Sequence, residues 1–357
     1  MKKKTTKNKK SKPNFQKLLA ATGVAAICLS ALGYFVYNLW LQPVRQNGQL
    51  DVNQTSRGEN LHTSLDLRLA SKAAYPSSPI TLVKDLGVSD GVRSQIISFS
   101  VPDDNLTEYG LMYLPASAKP AAGFPLVILC HGYIKPADYS TTLGYTNDMS
   151  FYARNGFAVI KPDFRGQGLS ADQGVADSVY YSMAYNTDVM SLISAVKDTS
   201  YLDKNNINLW GHSMGAYIAL RAAVVSPDIK TAILLAGPAG SLNQDYISYI
   251  PPSDENNPVA LKTRQAAFSK YGTPGENTVF WKYASPTTFL ANTSTNFDIN
   301  VGLLDPVVPP ALSADLDANL TALHRSHEYY VYDQGRHNLF EQRPQIWSRS
   351  LVVLKNH

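Results

Sequence analysis

The chain has 357 residues, of which 44% are hydrophobic and 17% charged. This composition suits one large globular domain with an appended segment, and it excludes a wholly disordered chain. The formal net charge of +4 arises at the N-terminus, where residues 2–17 hold eight lysines and no acid, which leaves 24 basic residues against 28 acidic ones elsewhere. Because a nucleic-acid-binding domain carries its basic surface on the folded part, we expect no nucleic-acid partner.

An uncharged apolar run, residues 18–41, follows the basic tail of residues 1–17. As a helix it would be about 36 Å long, enough to cross a hydrocarbon core of about 30 Å. The lysines predict that the tail stays in the cytoplasm and that the residues after 41 lie outside it. The length of the run favours a single-pass signal-anchor in the cell membrane. A signal peptide cleaved near Ala31-Leu32-Gly33 is the alternative, and it would leave the domain secreted.

Residues 42–78 are polar and are interpreted as a stalk, with a short helix indicated near Leu61–Leu69. Residues 79–357 then alternate strands with helices. The predicted strands are Ser94–Val101, Leu106–Leu114, Pro125–Cys130, Phe157–Lys161, Ile207–Trp210, Thr231–Ala236, Asp298–Leu304 and Glu328–Asp333. The predicted helices are Thr142–Asn155, Val179–Thr199, Met214–Ser226, Leu312–Leu323 and Leu339–Leu354. This alternation predicts an α/β fold, a mostly parallel central sheet with helices on both faces and ligands at the carboxyl ends of its strands.

A GxSxG motif, Gly211-His212-Ser213-Met214-Gly215, stands between a predicted strand and a predicted helix. In that context the serine occupies a sharp strand-to-helix turn and its hydroxyl projects above the sheet, while the glycines leave room for the neighbouring backbone. The amide N–H of Met214 opens the helix and faces an oxygen that becomes negative during attack. We therefore predict Ser213 as a nucleophile and Met214 as an oxyanion donor.

A serine hydroxyl needs a base to take its proton and a carboxylate to orient that base. After such a turn the acid precedes the histidine in the chain. We predict Asp305, after the strand Asp298–Leu304, as the acid and His337, on a loop after the last predicted strand, as the base. The loop His131-Gly132-Tyr133 follows the first parallel strand, and the amide N–H of Tyr133 is predicted as the second oxyanion donor.

Taken in order, these motifs resemble the α/β-hydrolase superfamily, specifically its prolyl-oligopeptidase-like and dienelactone-hydrolase-like branch. The resemblance covers about residues 124–354 and includes Asp163-Phe164-Arg165-Gly166-Gln167-Gly168. It implies an α/β-hydrolase domain at residues 79–357, a Ser213-Asp305-His337 triad and no cofactor. It also implies that Asp163 and Arg165 are structural, in a loop pinned by an ion pair.

The predicted function is a membrane-anchored serine hydrolase that cleaves an ester or amide bond through an acyl-enzyme. Its partners would be a small-molecule ester or short peptide as substrate, and the lipid bilayer through residues 18–41. Tyr133 and Ala216 stand where peptidases of this branch often have glycine, so we favour a carboxylic-ester hydrolase over a serine peptidase acting on short peptides. A non-catalytic surface protein with the hydrolase fold is the remaining alternative.

Residues 240–289 separate two predicted strands and are interpreted as a small lid insertion rich in aromatic residues. Those rings would either cover the nucleophile or pack the insertion onto the sheet. The chain has two cysteines and no CxxC or HExxH motif, so we expect no bound metal.

Overall fold

In the computed structural model the chain divides into two units, Met1–Asn53 and Gln54–His357. The structure describes residues 65–76, 78–102, 105–170, 181–238, 268–269 and 271–356, without the side chains of residues 181–184. The predicted tail, the predicted signal-anchor at residues 18–41, most of the stalk and most of the lid insertion lie outside the described residues. Within the described ranges, no helix is both long enough and apolar enough to cross a membrane.

The described residues form one nine-stranded sheet. Its strands are β1 Thr81–Ser89, β2 Val92–Val101, β3 Leu106–Pro115, β4 Phe124–Cys130, β5 Ala158–Pro162, β6 Leu202–His212, β7 Ile229–Leu235, β8 Asn296–Gly302 and β9 His327–Tyr332. The spatial order is β1-β2-β3-β5-β4-β6-β7-β8-β9. Pairing is antiparallel from β1 through β3 to β5 and parallel from β5 through β9, so the carboxyl ends of β4 to β9 meet at one edge.

Helices cover both faces of this sheet. They are α1 Leu67–Ala70, α2 Thr146–Arg154, α3 Tyr181–Lys197, α4 Met214–Val225, α5 Thr278–Ala284, α6 Pro310–Ala322 and α7 Arg343–Lys355, with short 3₁₀ helices at Pro136–Asp138 and Pro286–Asn292. Helices α3, α4 and α6 contribute to one hydrophobic core, and α2 and α7 contribute to the other. The predicted α/β architecture is confirmed.

Strand β4 shows why the central strands are continuously apolar. Leu126 and Ile128 belong to the core on one face, whereas Val127 and Leu129 belong to the core on the other. All four side chains are completely buried. A parallel strand covered on both faces has no solvent-facing position for a polar residue, and burying each such side chain contributes about 1.5–3 kcal/mol.

Several predicted element ends are wrong by a few residues, and backbone conformation explains most of the shifts. Helix α2 begins at Thr146 instead of Thr142 because Gly144 and Tyr145 both have positive φ, 70° and 58°. Helix α7 begins at Arg343 instead of Leu339, whose φ is also positive at 48°. Such backbone conformations interrupt a right-handed helix.

Strand β1 was not predicted. All nine of its residues are exposed, so it lacks the alternation of buried and exposed positions that identifies a strand. Its pairing with β2 is interrupted twice, between Leu82 and Lys84 and between Asp85 and Gly87. Charged residues and bulges of this kind discourage an edge strand from pairing with another chain.

The loop after β5 is pinned by an ion pair, but not in the way the sequence suggested. Arg165 donates to Asp188 of α3, its Nε lying 2.9 Å from Oδ1. Asp163 instead accepts hydrogen bonds from the hydroxyls of Tyr139 and Thr141 and from the amide N–H of Leu169. The structural interpretation of this loop therefore holds with a different partner for Arg165.

Beside this ion pair lies Glu108, a completely buried residue of β3. Its Oε1 is 4.0 Å from Nε of Arg165, whose guanidinium is already engaged by Asp188. Burial, followed by the negative charge of Asp188, raises the pKa of Glu108 well above its ordinary value. The folded protein therefore holds a proton on Glu108 that the unfolded chain releases at lower pH.

We predict that Glu108→Gln stabilises the protein progressively as the pH rises. Glutamate in the unfolded chain has a pKa of about 4.3. Between that pH and the raised pKa of the folded state, only the unfolded chain releases the proton, so the wild type loses stability as the pH rises. Glutamine stays neutral throughout. The difference in Tm between variant and wild type should be smallest at about pH 4 and largest at about pH 8. A change of about 1 kcal/mol in the free energy of unfolding shifts Tm by roughly 2–4 °C in a domain of this size.

Thermal melts across this pH range measure the effect, and Glu341→Gln, which alters an exposed carboxylate, is the control. A difference in Tm that does not change with pH would contradict the assignment.

Candidate active site

Ser213 lies on a sharp turn between β6 and α4. Its φ is 55° and its ψ is −122°, a conformation that costs a non-glycine residue about 1–3 kcal/mol. The surrounding backbone holds it there, since the amide N–H of Ser213 donates to the carbonyl of Leu235 at 2.9 Å. The predicted turn is therefore present, with the serine at its apex.

The two glycines of the motif are required by the close approach of backbone segments. A Cβ atom on Gly211 would lie 2.4 Å from the carbonyl oxygen of Gly215. A Cβ atom on Gly215 would lie 1.9 Å from the carbonyl oxygen of Cys130, the last residue of β4. Helix α4 thus begins directly against the end of β4, which brings the loop after β4 beside Ser213.

The structure brings the predicted nucleophile, base and acid together. Nε2 of His337 lies 2.9 Å from Oγ of Ser213, and Nδ1 of His337 lies 2.8 Å from Oδ2 of Asp305. The Asp305 side chain is fully buried, and that of His337 is 15% exposed. If Nδ1 donates to the carboxylate, Nε2 is left as the acceptor for the serine hydroxyl.

The carboxylate of Asp305 is oriented by its own loop. Its Oδ1 accepts hydrogen bonds from the amide N–H groups of Val307 at 2.7 Å and of Val308 at 2.9 Å, while Oδ2 faces His337. Strand β8 ends at Gly302, so Asp305 lies on the loop beyond it and not at the strand end expected from the sequence.

The acid loop and the histidine loop are packed backbone against backbone. The amide N–H of Leu303 donates to the carbonyl of Tyr332 at 3.0 Å, and that of Leu304 donates to the carbonyl of Gly335 at 2.9 Å. A Cβ atom on Gly302 would lie 2.3 Å from the Gly335 oxygen. This contact fixes the distance between Asp305 and His337.

The two predicted oxyanion donors lie on adjoining segments. Met214 is the first residue of α4, where amide N–H groups have no partner within the helix. Tyr133 lies just beyond Gly132, and a Cβ atom on Gly132 would lie 3.3 Å from the carbonyl oxygen of His212. The Tyr133 side chain is 46% exposed. Both segments therefore meet beside Ser213.

His212 and Tyr145 adjoin the predicted site, and sequence reasoning included neither of them among the candidate residues. His212 is buried, with Nδ1 2.8 Å from the hydroxyl of Tyr145 and Nε2 2.9 Å from the carbonyl oxygen of His337. A histidine directly beside the predicted nucleophile is a signal that could have identified His212. Tyr145 belongs to no motif, so no pattern in the sequence points to it.

The described part of the lid insertion packs on itself. Trp281 is buried, and its Nε1 donates to the carbonyl of Gly272 at 2.9 Å. The rings of Tyr271 and Phe280 are stacked with centroids 4.2 Å apart. These rings belong to a hydrophobic cluster with Tyr217 of α4, and residues 240–267 of the insertion lie outside the described ones. In the described ranges, His, Cys, Asp and Glu do not cluster as a metal site would require.

Comparison with known proteins finds matches to hydrolases over part of the chain. The family model described as "Serine aminopeptidase, S33" matches residues 124–277. A curated protein named epoxide hydrolase, from Caballeronia sordidicola, is 33% identical over 110 residues, which are 30% of this chain and 30% of that one. The match thus spans less than a third of that relative.

Solved structures share the fold over a longer part of the chain. Acetyl xylan esterase from Paenibacillus sp. R4 has a TM-score of 0.61 at 18% identity, covering 80% of this chain and 92% of its own. Dipeptidyl peptidase 4 from Porphyromonas gingivalis has a TM-score of 0.54 at 16% identity, covering 80% of this chain and 36% of its own. The resemblance noted from the sequence is confirmed, and the chain has the α/β-hydrolase fold.

Proposed function

We propose that the protein is a serine hydrolase that cleaves an ester or amide bond through an acyl-enzyme. The observation that carries this proposal is the hydrogen-bonded line from Oγ of Ser213 through the imidazole of His337 to the buried carboxylate of Asp305. A hydroxyl, an imidazole and a carboxylate in this order are the groups that nucleophilic acyl transfer requires.

In the proposed reaction, Oγ of Ser213 attacks the substrate carbonyl carbon while its proton passes to Nε2 of His337. The carbonyl electron pair moves onto oxygen, and the amide N–H groups of Tyr133 and Met214 stabilise that negative charge. His337 then donates its proton to the leaving alcohol or amine, which leaves an acyl ester on Ser213. A water molecule, deprotonated by His337, attacks this ester and releases the acid.

Asp305 acts on the orientation and charge of His337. Because Oδ1 is held by the amides of Val307 and Val308, Oδ2 stays directed at Nδ1 and keeps the proton on that nitrogen. The carboxylate also stabilises the imidazolium formed when His337 accepts the serine proton.

We predict that Ser213→Ala abolishes hydrolysis of p-nitrophenyl acetate and that Asp305→Asn lowers kcat by about 10⁴. Asparagine favours the tautomer of His337 that cannot accept the serine proton, so KM should change far less than kcat. Steady-state kinetics measures both parameters.

Asp317→Asn is the matched control for this experiment, because Asp317 also bonds a histidine, His327, at 2.9 Å but in a pair that does not include Ser213. Its kcat should equal that of the wild type. Near wild-type turnover in Asp305→Asn would contradict the assigned role of the acid.

For the substrate we propose carboxylic esters as the first class. Tyr133 and Ala216 occupy positions where peptidases of the resembled branch often have glycine, and an alkoxide leaves a tetrahedral intermediate more readily than an amine does. A peptidase acting on short peptides is the second candidate, and the match to the serine aminopeptidase family model favours it.

We predict a clear preference for esters when one acyl group is offered with two leaving groups. Alanine p-nitrophenyl ester and alanine p-nitroanilide form such a pair, and p-nitrophenyl butyrate tests whether a free amino group is needed. The values of kcat/KM, corrected for spontaneous hydrolysis, give the order. Efficient cleavage of the anilide together with no cleavage of the butyrate would establish the peptidase instead.

We also propose that residues 18–41 anchor the protein in the cell membrane with the hydrolase domain outside the cytoplasm. The support is an uncharged run preceded by a lysine-rich tail. We predict that the full chain stays in the membrane pellet after an alkaline wash and is digested by protease added outside intact cells. Release of a form lacking the apolar run would instead identify a cleaved signal peptide.

A further inference from the structure

A continuous line of hydrogen bonds joins the loop after β4 to the loop that bears His337. The amide N–H of Gly132 donates to the hydroxyl oxygen of Tyr145 at 2.9 Å. That hydroxyl lies 2.8 Å from Nδ1 of His212, and Nε2 of His212 lies 2.9 Å from the carbonyl oxygen of His337. The line thus begins at the residue before Tyr133 and ends on the main chain of the proposed base.

The two ends of this line determine the direction of every bond in it. The amide N–H of Gly132 can only donate a hydrogen bond, and the carbonyl oxygen of His337 can only accept one. Nε2 of His212 therefore carries the proton and donates to His337, while Nδ1 accepts from the hydroxyl of Tyr145. Each donor in the line has an acceptor, so no polar group is left over.

Burial keeps both side chains neutral. Burial and then the positive charge of Arg343 lower the pKa of His212 to about 3. Burial raises the pKa of Tyr145 to about 12. Neither group changes its protonation state near neutral pH, so the bonds keep the same direction while His337 gains and loses a proton.

A second bridge runs parallel to the first. Asp148, three residues after Tyr145, forms an ion pair with Arg343 and accepts a hydrogen bond from Nε1 of Trp347 at 2.8 Å. Nε of Arg343 donates to the carbonyl oxygen of Asn338 at 3.2 Å. His337 is therefore held by Tyr145, which precedes α2, and Asn338 is held by Asp148 in the first turn of α2.

The backbone of Tyr145 is strained, which argues that its side chain is needed at this position. Its φ of 58° lies in the left-handed region, where a bulky residue is uncommon. The ring is held edge-on against Trp210, with centroids 5.8 Å apart. Strain of this kind persists where the surrounding structure requires it, often beside a functional site.

We propose that Tyr145 and His212 are positioning residues that hold the loop bearing the base at a fixed distance from the loop bearing an oxyanion donor. This inference rests on the proposed function. Proton transfer to His337 and stabilisation of the oxyanion occur in the same step, so both loops must be in place at once. A misplacement of about 1 Å can reduce turnover about 10²-fold.

The first test is Tyr145→Phe, which keeps the ring and removes only the bridging hydroxyl. We expect kcat for p-nitrophenyl acetate to fall by roughly 10- to 100-fold while KM changes little, because the misplaced groups act in the transition state. Tyr152→Phe is the matched control. Tyr152 is a buried tyrosine of α2, the helix that Tyr145 precedes, and its hydroxyl lies 2.7 Å from Oγ of Ser350. This variant should lower Tm without lowering kcat.

The second test compares two replacements of His212. The glutamine amide in His212→Gln can both accept from Tyr145 and donate to the carbonyl of His337, whereas leucine in His212→Leu can do neither. We expect the glutamine variant to retain clearly more of kcat than the leucine variant at similar Tm. This comparison keeps the inference falsifiable if Tyr145→Phe does not fold.

The outcomes separate the two proposals. If the wild type does not hydrolyse the ester, the proposed function fails and this inference fails with it. If the wild type is active and Tyr145→Phe matches Tyr152→Phe in kcat, or if the two His212 variants are equally active, the inference alone is overturned.

Discussion

The close approach of β4 to the start of α4 is the constraint on which the rest of the site depends. Because Gly215 has no side chain, α4 begins against the carbonyl of Cys130. This packing places Ser213 at the apex of its turn and brings the loop after β4 beside it. The packing of Gly302 against Gly335 has the same effect on the loops of Asp305 and His337. Distances within the site are thus set by contacts between main chains.

Most of the fold could be predicted because the central strands are buried on both faces. A run such as residues 125–130 is apolar throughout, so it predicts a buried strand. The helices predicted between such runs indicate that the strands are parallel. Strand β1 could not be predicted, since an exposed edge strand has no hydrophobic pattern. The starts of α2 and α7 depend on positive φ values at Tyr145 and Leu339, which neither residue type suggests.

The candidate site was predictable where chemistry restricts the residue type. After a GxSxG turn the acid and then the histidine follow the serine in the chain, so Ser213, Asp305 and His337 could be chosen before any distance was known. The partners of Arg165 and of Tyr145 could not be chosen, because many carboxylates and many hydrogen-bond acceptors were equally available. Only the hydrogen bonds that link Tyr145 through His212 to the histidine loop bring Tyr145 into the proposed site.

The most direct test of the account is to treat the purified protein with a fluorophosphonate, which forms a covalent bond with a serine activated by a neighbouring base. Intact mass followed by peptide mapping locates the adduct. The account predicts one adduct per chain, on Ser213, that forms in the folded protein and not after denaturation. Absence of an adduct, or an adduct on another serine while Ser213 stays unmodified, would contradict it.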